Sequence, residues 1–322
     1  MRLTGRGGAL LIVAACLGLI ALFAVAVVRL VSTYLSPQVC AVRAPTGEIT
    51  LTPEQASNAT TIAAVAVRRG LPERAVTIAL AAAMQESKLR NLSEGDRDSL
   101  GLFQQRPSQG WGTPEEILDP VYAAERFYDA LIEVSGYAEL PLTVAAQRVQ
   151  RSAAPSAYAQ HEGDARALSS ALTGRRESAL TCTYRPGSHR TETMGPQGLT
   201  PRAMTVRELL ERDFGKLRLG GFAPGGVSSG HMAGSAHYDG RAIDVFFRPV
   251  SPGQQEHGWA LAHWAVGHAE ALRIENVIYD GRIWSAGRSS SGWREYQPAG
   301  GRSDDPVLMH RDHVHVEVLD GG

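Results

Sequence analysis

The sequence predicts a multi-domain chain: a transmembrane helix, then a mostly α-helical domain, then an α+β domain. Three observations lead there. Residues 7–28, GGALLIVAACLGLIALFAVAVV, form an uncharged apolar run. From about residue 52 to 180 apolar residues recur at helical spacing, with no strand-like alternation of any length. After a stretch rich in Pro, Gly, Ser and Thr, helices and short apolar strands mix. That last part closes on HVHVEV, the two-residue period of a half-buried strand. The boundaries read as 1–45 for the start, anchor and juxtamembrane segment, 46–182 for the helical domain, 183–200 for a linker, and 201–322 for the α+β domain.

At 322 residues there is room for two ordinary domains. The net charge of −1 at pH 7 and the lack of a long basic run argue against nucleic acid as a partner. The apolar run is long enough to cross a bilayer as a helix. VAAC at 13–16 has the look of a lipoprotein cleavage box, and a cleaved signal peptide is a third reading. The run continues well past Cys16, which fits an uncleaved span better. The expectation is therefore a single-pass protein of the cell membrane with the bulk of the chain extracytoplasmic. Arg2 and Arg6 place the start in the cytoplasm, while Arg29 pulls the other way. Of the three cysteines, Cys16 falls in the run. That leaves Cys40 and Cys182 as a disulfide in an oxidising compartment, or as two free thiols.

In the helical domain, TPEQASNATTIAAVAVRRG starts with Thr52 as a cap and Pro53 in the first turn, and stops at Gly70. LPERAVTIALAAAMQESKL repeats the pattern, RNLSEGDRDSLG is loop-like, and PEEILDPVYAAERFYDALIEV carries two more helical stretches. Glu86 falls at helical spacing from Ala79, Ala82 and Ala83, on a stripe of small apolar residues. Partial desolvation on such a face raises a carboxyl pKa. That is the state in which a general acid protonates a glycosidic oxygen. The plain alternative is a helix-end charge that swings to solvent.

The α+β domain reads TVRELLERDFG as an amphipathic helix, RAIDVFF and ENVIY as strands, and HGWALAHWAVGHAEALRI as a further helix. Near the end, MHRDHVHVEV brings His310, Asp312, His313 and His315 within six positions. On a strand His313 and His315 share one face, and Val314, Val316 and Val318 the other. Upstream, His237 and Asp244 lie seven positions apart with Gly240 between them. Histidine, aspartate and histidine make a three-ligand set for catalytic zinc with an open position. Such a metal acidifies its bound water. The plain alternative is a set of satisfied surface and core histidines. His257, His263 and His268 close on no ligand face and read as solvated or capping. His231 lies near the site in sequence, and His161 and His189 carry no signal.

SAHYDGRAIDV followed much later by HRDHVHV resembles the zinc peptidases of the D-alanyl-D-alanine carboxypeptidase and murein endopeptidase superfamily. The likeness covers most of 201–322 and extends to ENVIYDGRIWS, with Trp284, and to GWREY. It implies a zinc peptidase-like domain in which His237, Asp244 and His315 hold zinc and His310 is an auxiliary polar group. His313 would sit beside the metal water as base or transition-state stabiliser. Many members place an acidic base three residues before the last histidine ligand, where Asp312 stands, so that role is open between Asp312 and His313.

QES, then DSLGLFQQRPSQGWGT, then DPVYAAERFYDAL are similar, over about 71–135, to the first three motifs of the lysozyme-like lytic transglycosylases. The resemblance implies a lysozyme-like domain with Glu86 as the single acid/base. Gly101, Leu102, Phe103 and Gln104 would line the glycan groove, and Ser87 would set the helix end. The family's fourth motif, a Tyr-Asn pair, is replaced by AAQRVQRS, which offers Gln147 as the substitute. Glu94, Asp96 and Asp98 sit in the intervening loop, but spacing fixes none as a second carboxylate. An ordinary hydrolase needs such a pair, whereas the resemblance implies a transglycosylase working with one acid.

Both resemblances point at the same polymer. The expectation is a membrane-anchored bacterial peptidoglycan remodelling protein with zinc as cofactor and a cell-wall enzyme complex as partner. The alternative is a non-enzymatic wall-binding scaffold with degenerate domains. A surface metal-binding or transport protein is disfavoured, since one span is too few for a transporter. With no periodic packing face in 183–200, the two domains are expected to act as separate bodies.

Overall fold

The computed structural model describes residues 38–44, 47–152, 154–187, 190–301 and 303–320, together with 15, 17–19 and 22–25. The chain divides into Met1–Gln38 and one compact unit, Val39–Gly322.

The expected transmembrane helix is corrected. Among the described residues no helix is long and apolar enough to cross a membrane, and most of 7–28 lies outside them. An apolar run supplies only composition; a span needs about 20 consecutive residues in one helix. The single-pass placement at the cell membrane, drawn from that run, is corrected with it. What is described has mixed helix and strand content.

The compact unit begins with an antiparallel hairpin, β1 (Cys40–Ala44) and β2 (Gly47–Leu51), completed by β3 (Leu180–Cys182) on the far side of β1. Cys40 and Cys182 are directly paired across β1 and β3 and form a disulfide. Thr52 caps α1 (Pro53–Arg68) through a reciprocal pair with Gln55, and Pro53 fits the first turn. The run from Ala56 to Ala66 in α1 is buried on nearly every face. A helix buried all round lies inside, and α1, whose buried Asn58, Thr60 and Thr61 all have hydrogen-bond partners, is the central rod of the unit. Around it stand α2 (Glu73–Ser87), α3 (Pro114–Ile117), α4 (Pro120–Ile132), α5 (Leu142–Gln150) and α6 (Glu162–Leu172).

After α7 (Pro201–Phe214) comes an antiparallel six-stranded sheet in the order β4-β5-β9-β6-β7-β8. Its strands are β4 (Leu219–Gly220), β5 (Ala242–Phe246), β6 (Ile274–Tyr279), β7 (Arg282–Ser285), β8 (Arg294–Glu295) and β9 (His313–Val318). Between β5 and β6 the chain forms α8 (Pro252–Gly267) and the short α9 (Ala269–Leu272). Val314, Val316 and Val318 face inward at 1% exposure or less, which leaves His313 and His315 for the opposite face.

The halves are not separate bodies. Gly267 of α8 lies so close to α1 that a side chain there would meet Thr60 at 3.0 Å. Buried Asp213 accepts hydrogen bonds from Thr61 of α1 (3.1 Å) and from the Trp264 indole of α8 (2.7 Å) on one oxygen, and from Arg212 (2.8 Å) on the other. Trp284 and Trp293 donate their indole N–H groups to the carbonyls of Cys182 and Leu180 on β3. The stretch read as a linker is tied down as well: Tyr184 N–H donates to Ser289, whose hydroxyl donates back to the Tyr184 carbonyl. Lack of periodicity in 183–200 says nothing about contacts made by elements on either side of it.

Of the helix histidines, His257 is exposed and His268, though nearly buried, caps the end of α8, as expected; His263 is corrected, being fully buried. His263 Nδ1–H donates to the Ala171 carbonyl (2.9 Å) and Nε2 accepts from Ala179 N–H (3.1 Å). Burial pushes its pKa down to about 4. A neutral imidazole with both nitrogens satisfied is a structural pin between the halves.

Candidate metal centre and candidate acid site

The C-terminal site grows out of strand register. β5 and β9 are antiparallel neighbours, with Asp244 directly opposite His315 and Phe246 opposite His313. The pleat puts all three polar side chains on the face away from the valines, and His237 enters from the turn before β5. The result is a cleft of about 710 Å³ whose lining includes His231, His237, Asp244, His310, His313 and His315.

His237 Nε2 stands 3.1 Å from His315 Nδ1 and 3.2 Å from Asp244 Oδ1, and His315 Nδ1 is 3.1 Å from the same oxygen. Atoms bound to one zinc at 2.0–2.2 Å stand roughly 3 to 3.5 Å apart. The triangle has that size. His231, His237 and Asp244 also each offer a ligand atom within 4.8 Å of the others. The structure thus contains a possible two-histidine, one-aspartate metal site, and His231 joins the predicted set of His237, Asp244 and His315 around it.

The outward nitrogens are held too. His237 Nδ1–H donates to the Gly221 carbonyl at 2.8 Å, which leaves Nε2 with its lone pair facing inward. His315 Nε2 lies 3.9 Å from Glu317 Oε2, and Glu317 is itself held by Asn276 (2.8 Å) and Arg241 (3.1 Å). Metal-bound histidines are oriented in this way by carbonyls and carboxylates behind them. Gly221 has to be glycine, because at φ 80° a side chain there would meet the His237 ring at 2.2 Å. Burial works against charge on His315, but the Asp244 and Glu317 carboxylates outweigh it and hold its pKa at about 9. Burial also opposes the Asp244 charge, and the two imidazoles override it, holding that carboxyl well below the usual range. A shared proton or a metal cation satisfies such a convergence.

His313 and Asp312 take different places. His313 Nδ1–H donates to Asp312 Oδ1 at 2.7 Å, and Arg248 Nε–H donates to Asp312 Oδ2 at 2.6 Å. His313 Nε2 then faces the centre, 3.8 Å from Asp244 Oδ1. Asp312 is behind the imidazole, not beside the metal site, so the residue facing the centre is His313. His310 has its ring 4.6 Å from that of His313, with Tyr296 edge-on at 4.9 Å. Burial, then the neighbouring His315 and His313, push its pKa down to about 3, so it stands in the cleft as a neutral group.

At the end of α2, Glu86 is half-buried, and the Tyr158 hydroxyl donates to Glu86 Oε1 at 2.6 Å. Burial first, and then the carboxylate, push the tyrosine pKa up. Ser87 donates to the carbonyls of Ala83 (3.1 Å) and Leu102 (2.7 Å), tying the helix end to the following loop. Lys88 and Leu89 then take left-handed conformations that stop the helix.

The groove residues differ from expectation. Leu102 and Phe103 are core side chains at 0% and 1% exposure, Phe103 stacked on Phe127 with ring centres 4.6 Å apart. Their main chain is no more open to a glycan: the Leu102 carbonyl accepts from Ser87 (2.7 Å) and that of Phe103 from Gln150 (2.8 Å). Gln104 donates to the Gly101 carbonyl at 3.2 Å, and Gly101 has no room for a side chain against the Ile117 carbonyl. Gln147 donates to the Ser152 carbonyl at 2.8 Å; the group that reaches Glu86 is Tyr158. The sequence signal missed was this tyrosine, eleven positions beyond Gln147 in a short 3-10 turn, Pro155–His161. Of the loop carboxylates, Asp98 is committed to Arg106 (2.6 Å) and to Ser108 N–H (2.8 Å).

A protein-family model described as "VldE, C-terminal domain" matches residues 195–307. The match takes in His231, His237 and Asp244 and ends before His310. No curated protein matches the chain.

Proposed function

We propose that this chain processes peptidoglycan, with a zinc-dependent peptidase centre in the C-terminal cleft and single-acid glycan cleavage at Glu86. The triangle of His237 Nε2, Asp244 Oδ1 and His315 Nδ1, with sides of 3.1–3.2 Å, carries this reading. Those three residues would hold the metal. Zinc in such a set supplies Lewis-acid polarisation of a carbonyl and activation of water for attack.

The chain's own groups do the rest. His313 Nε2 faces the centre, where it takes up a proton and returns it to the leaving amine. Asp312 keeps the His313 proton on Nδ1, so the inward nitrogen is the free base, and Arg248 holds Asp312 in turn. Neutral His310 contributes a polar wall without adding charge beside the metal ligands. In the helical half, Glu86 would protonate the glycosidic oxygen, with Tyr158 fixing the direction of its carboxyl group.

Digesting purified peptidoglycan with the full chain and analysing products by mass spectrometry tests both parts. New peptide termini should disappear with a chelator or with His315→Ala, while anhydro-sugar ends remain. Glu86→Gln should do the reverse, since an amide cannot donate a proton as an acid. Absence of either product on every peptidoglycan type would leave a wall-binding scaffold as the better account.

A further inference from the structure

One histidine of the cleft has no task in the proposed chemistry. His231 is half-buried and lies flat on the His237 ring, with centroids 3.9 Å apart and planes 23° from parallel. Its ligand atom is within 4.8 Å of those of His237 and Asp244. The position is held by its own loop. The Tyr238 hydroxyl accepts from His231 N–H at 3.1 Å and donates to the His231 carbonyl at 2.5 Å, pinning both main-chain groups at once.

His237, Asp244 and His315 supply three donors. Catalytic zinc sites keep three protein ligands and one open position, whereas four protein ligands close a site. We infer that His231 is a fourth, displaceable ligand that closes the coordination sphere at rest and yields its place when a substrate peptide enters the cleft. This rests on the metal reading above. His315 and Asp244 sit on paired strands and are not free to leave. His231 sits between Gly230 and Gly234, both at positive φ, where an added side chain would meet nothing within 4 Å. Such a short open segment, in no helix or strand, is the part of the site best able to shift.

The test uses the full chain stripped of metal and reloaded with zinc or cobalt. In chelator competition, His231→Ala should weaken zinc binding by at least the roughly 10–100-fold that loss of an outer-shell partner costs. Azide should shift the visible spectrum of cobalt-loaded His231→Ala at a much lower concentration than that of the wild-type cobalt protein, where it must first displace His231. Release of peptide from peptidoglycan should rise in the variant. Tyr238→Phe keeps the ring but frees the loop, and should move affinity and azide response in the same direction to a smaller degree. A wild-type zinc affinity in His231→Ala, with azide shifting both cobalt spectra alike, would overturn the inference and leave the three-ligand site standing. If the wild-type chain takes up no stoichiometric metal, the metal reading itself fails, and the role of His231 with it.

Discussion

Tyr158 donates its hydroxyl hydrogen to Glu86 Oε1 at 2.6 Å, joining residues 72 positions apart. The bond leaves Oε2 as the oxygen free to act on a substrate. Tyr158→Phe keeps the ring in its buried place and removes only this bond. Glycan cleavage should fall by about tenfold or more, short of the roughly 10²–10⁴-fold loss of a general acid itself. Equal product release from wild type and Tyr158→Phe, beside an inactive Glu86→Gln, would remove Tyr158 from the site.

Asp312 offers a test of positioning against ligation. Asp312→Asn keeps the shape but loses the charge that holds the His313 proton and pairs with Arg248. Zinc content should stay at wild-type level, because Asp312 is not among the inward-facing donors. The peptide product should fall by roughly 10²-fold, the scale of a misplaced general base. Loss of zinc in Asp312→Asn, measured by metal analysis, would show that the aspartate supports the metal and not the base.

Buried His263 makes stability depend on acid. Unfolded, an imidazole takes a proton near 6.5; folded, burial lowers this to about 4. Between the two values the unfolded chain binds more protons. Stability is therefore full above about pH 6.5, falls as pH drops toward 4, and levels off below. The swing from this residue is roughly 3 kcal/mol. His268, also lowered by burial, acts in the same direction. Urea unfolding at a series of pH values should show this slope, and His263→Gln should flatten it.

The disulfide closes a span of 142 residues between Cys40 and Cys182. Constraining so long a loop in the unfolded chain contributes roughly 2–5 kcal/mol. Cys40→Ser with Cys182→Ser should lower the melting temperature, and thiol titration of the unreduced native chain should find neither cysteine. Titration of both at once in the unreduced chain would contradict the pairing.

Local sequence determined what local physics controls. Thr52, Pro53 and Gln55 mark the start of α1 because a cap needs only neighbouring residues. The alternation of HVHVEV sends His313 and His315 to one face because a strand has period two. The set of His237, Asp244 and His315 came from the resemblance of SAHYDGRAIDV and HRDHVHV to a zinc peptidase family, not from local physics. Tertiary structure decided the rest. The 3.1–3.2 Å triangle depends on the register of β5 against β9, which no window of sequence contains. The order Arg248–Asp312–His313, the reach of Tyr158 to Glu86, and the stacking of His231 on His237 all join residues set by packing and loop path. Burial of His263 follows from α8 packing against α6 and the approach to β3, and the merging of two expected bodies into one unit from α8 packing against α1 as well, a choice made by whole faces and not by single residues. The apolar run at 7–28 shows the opposite limit: it reads as a span, yet among the described residues no helix is long and apolar enough to cross a membrane, and most of the run lies outside them.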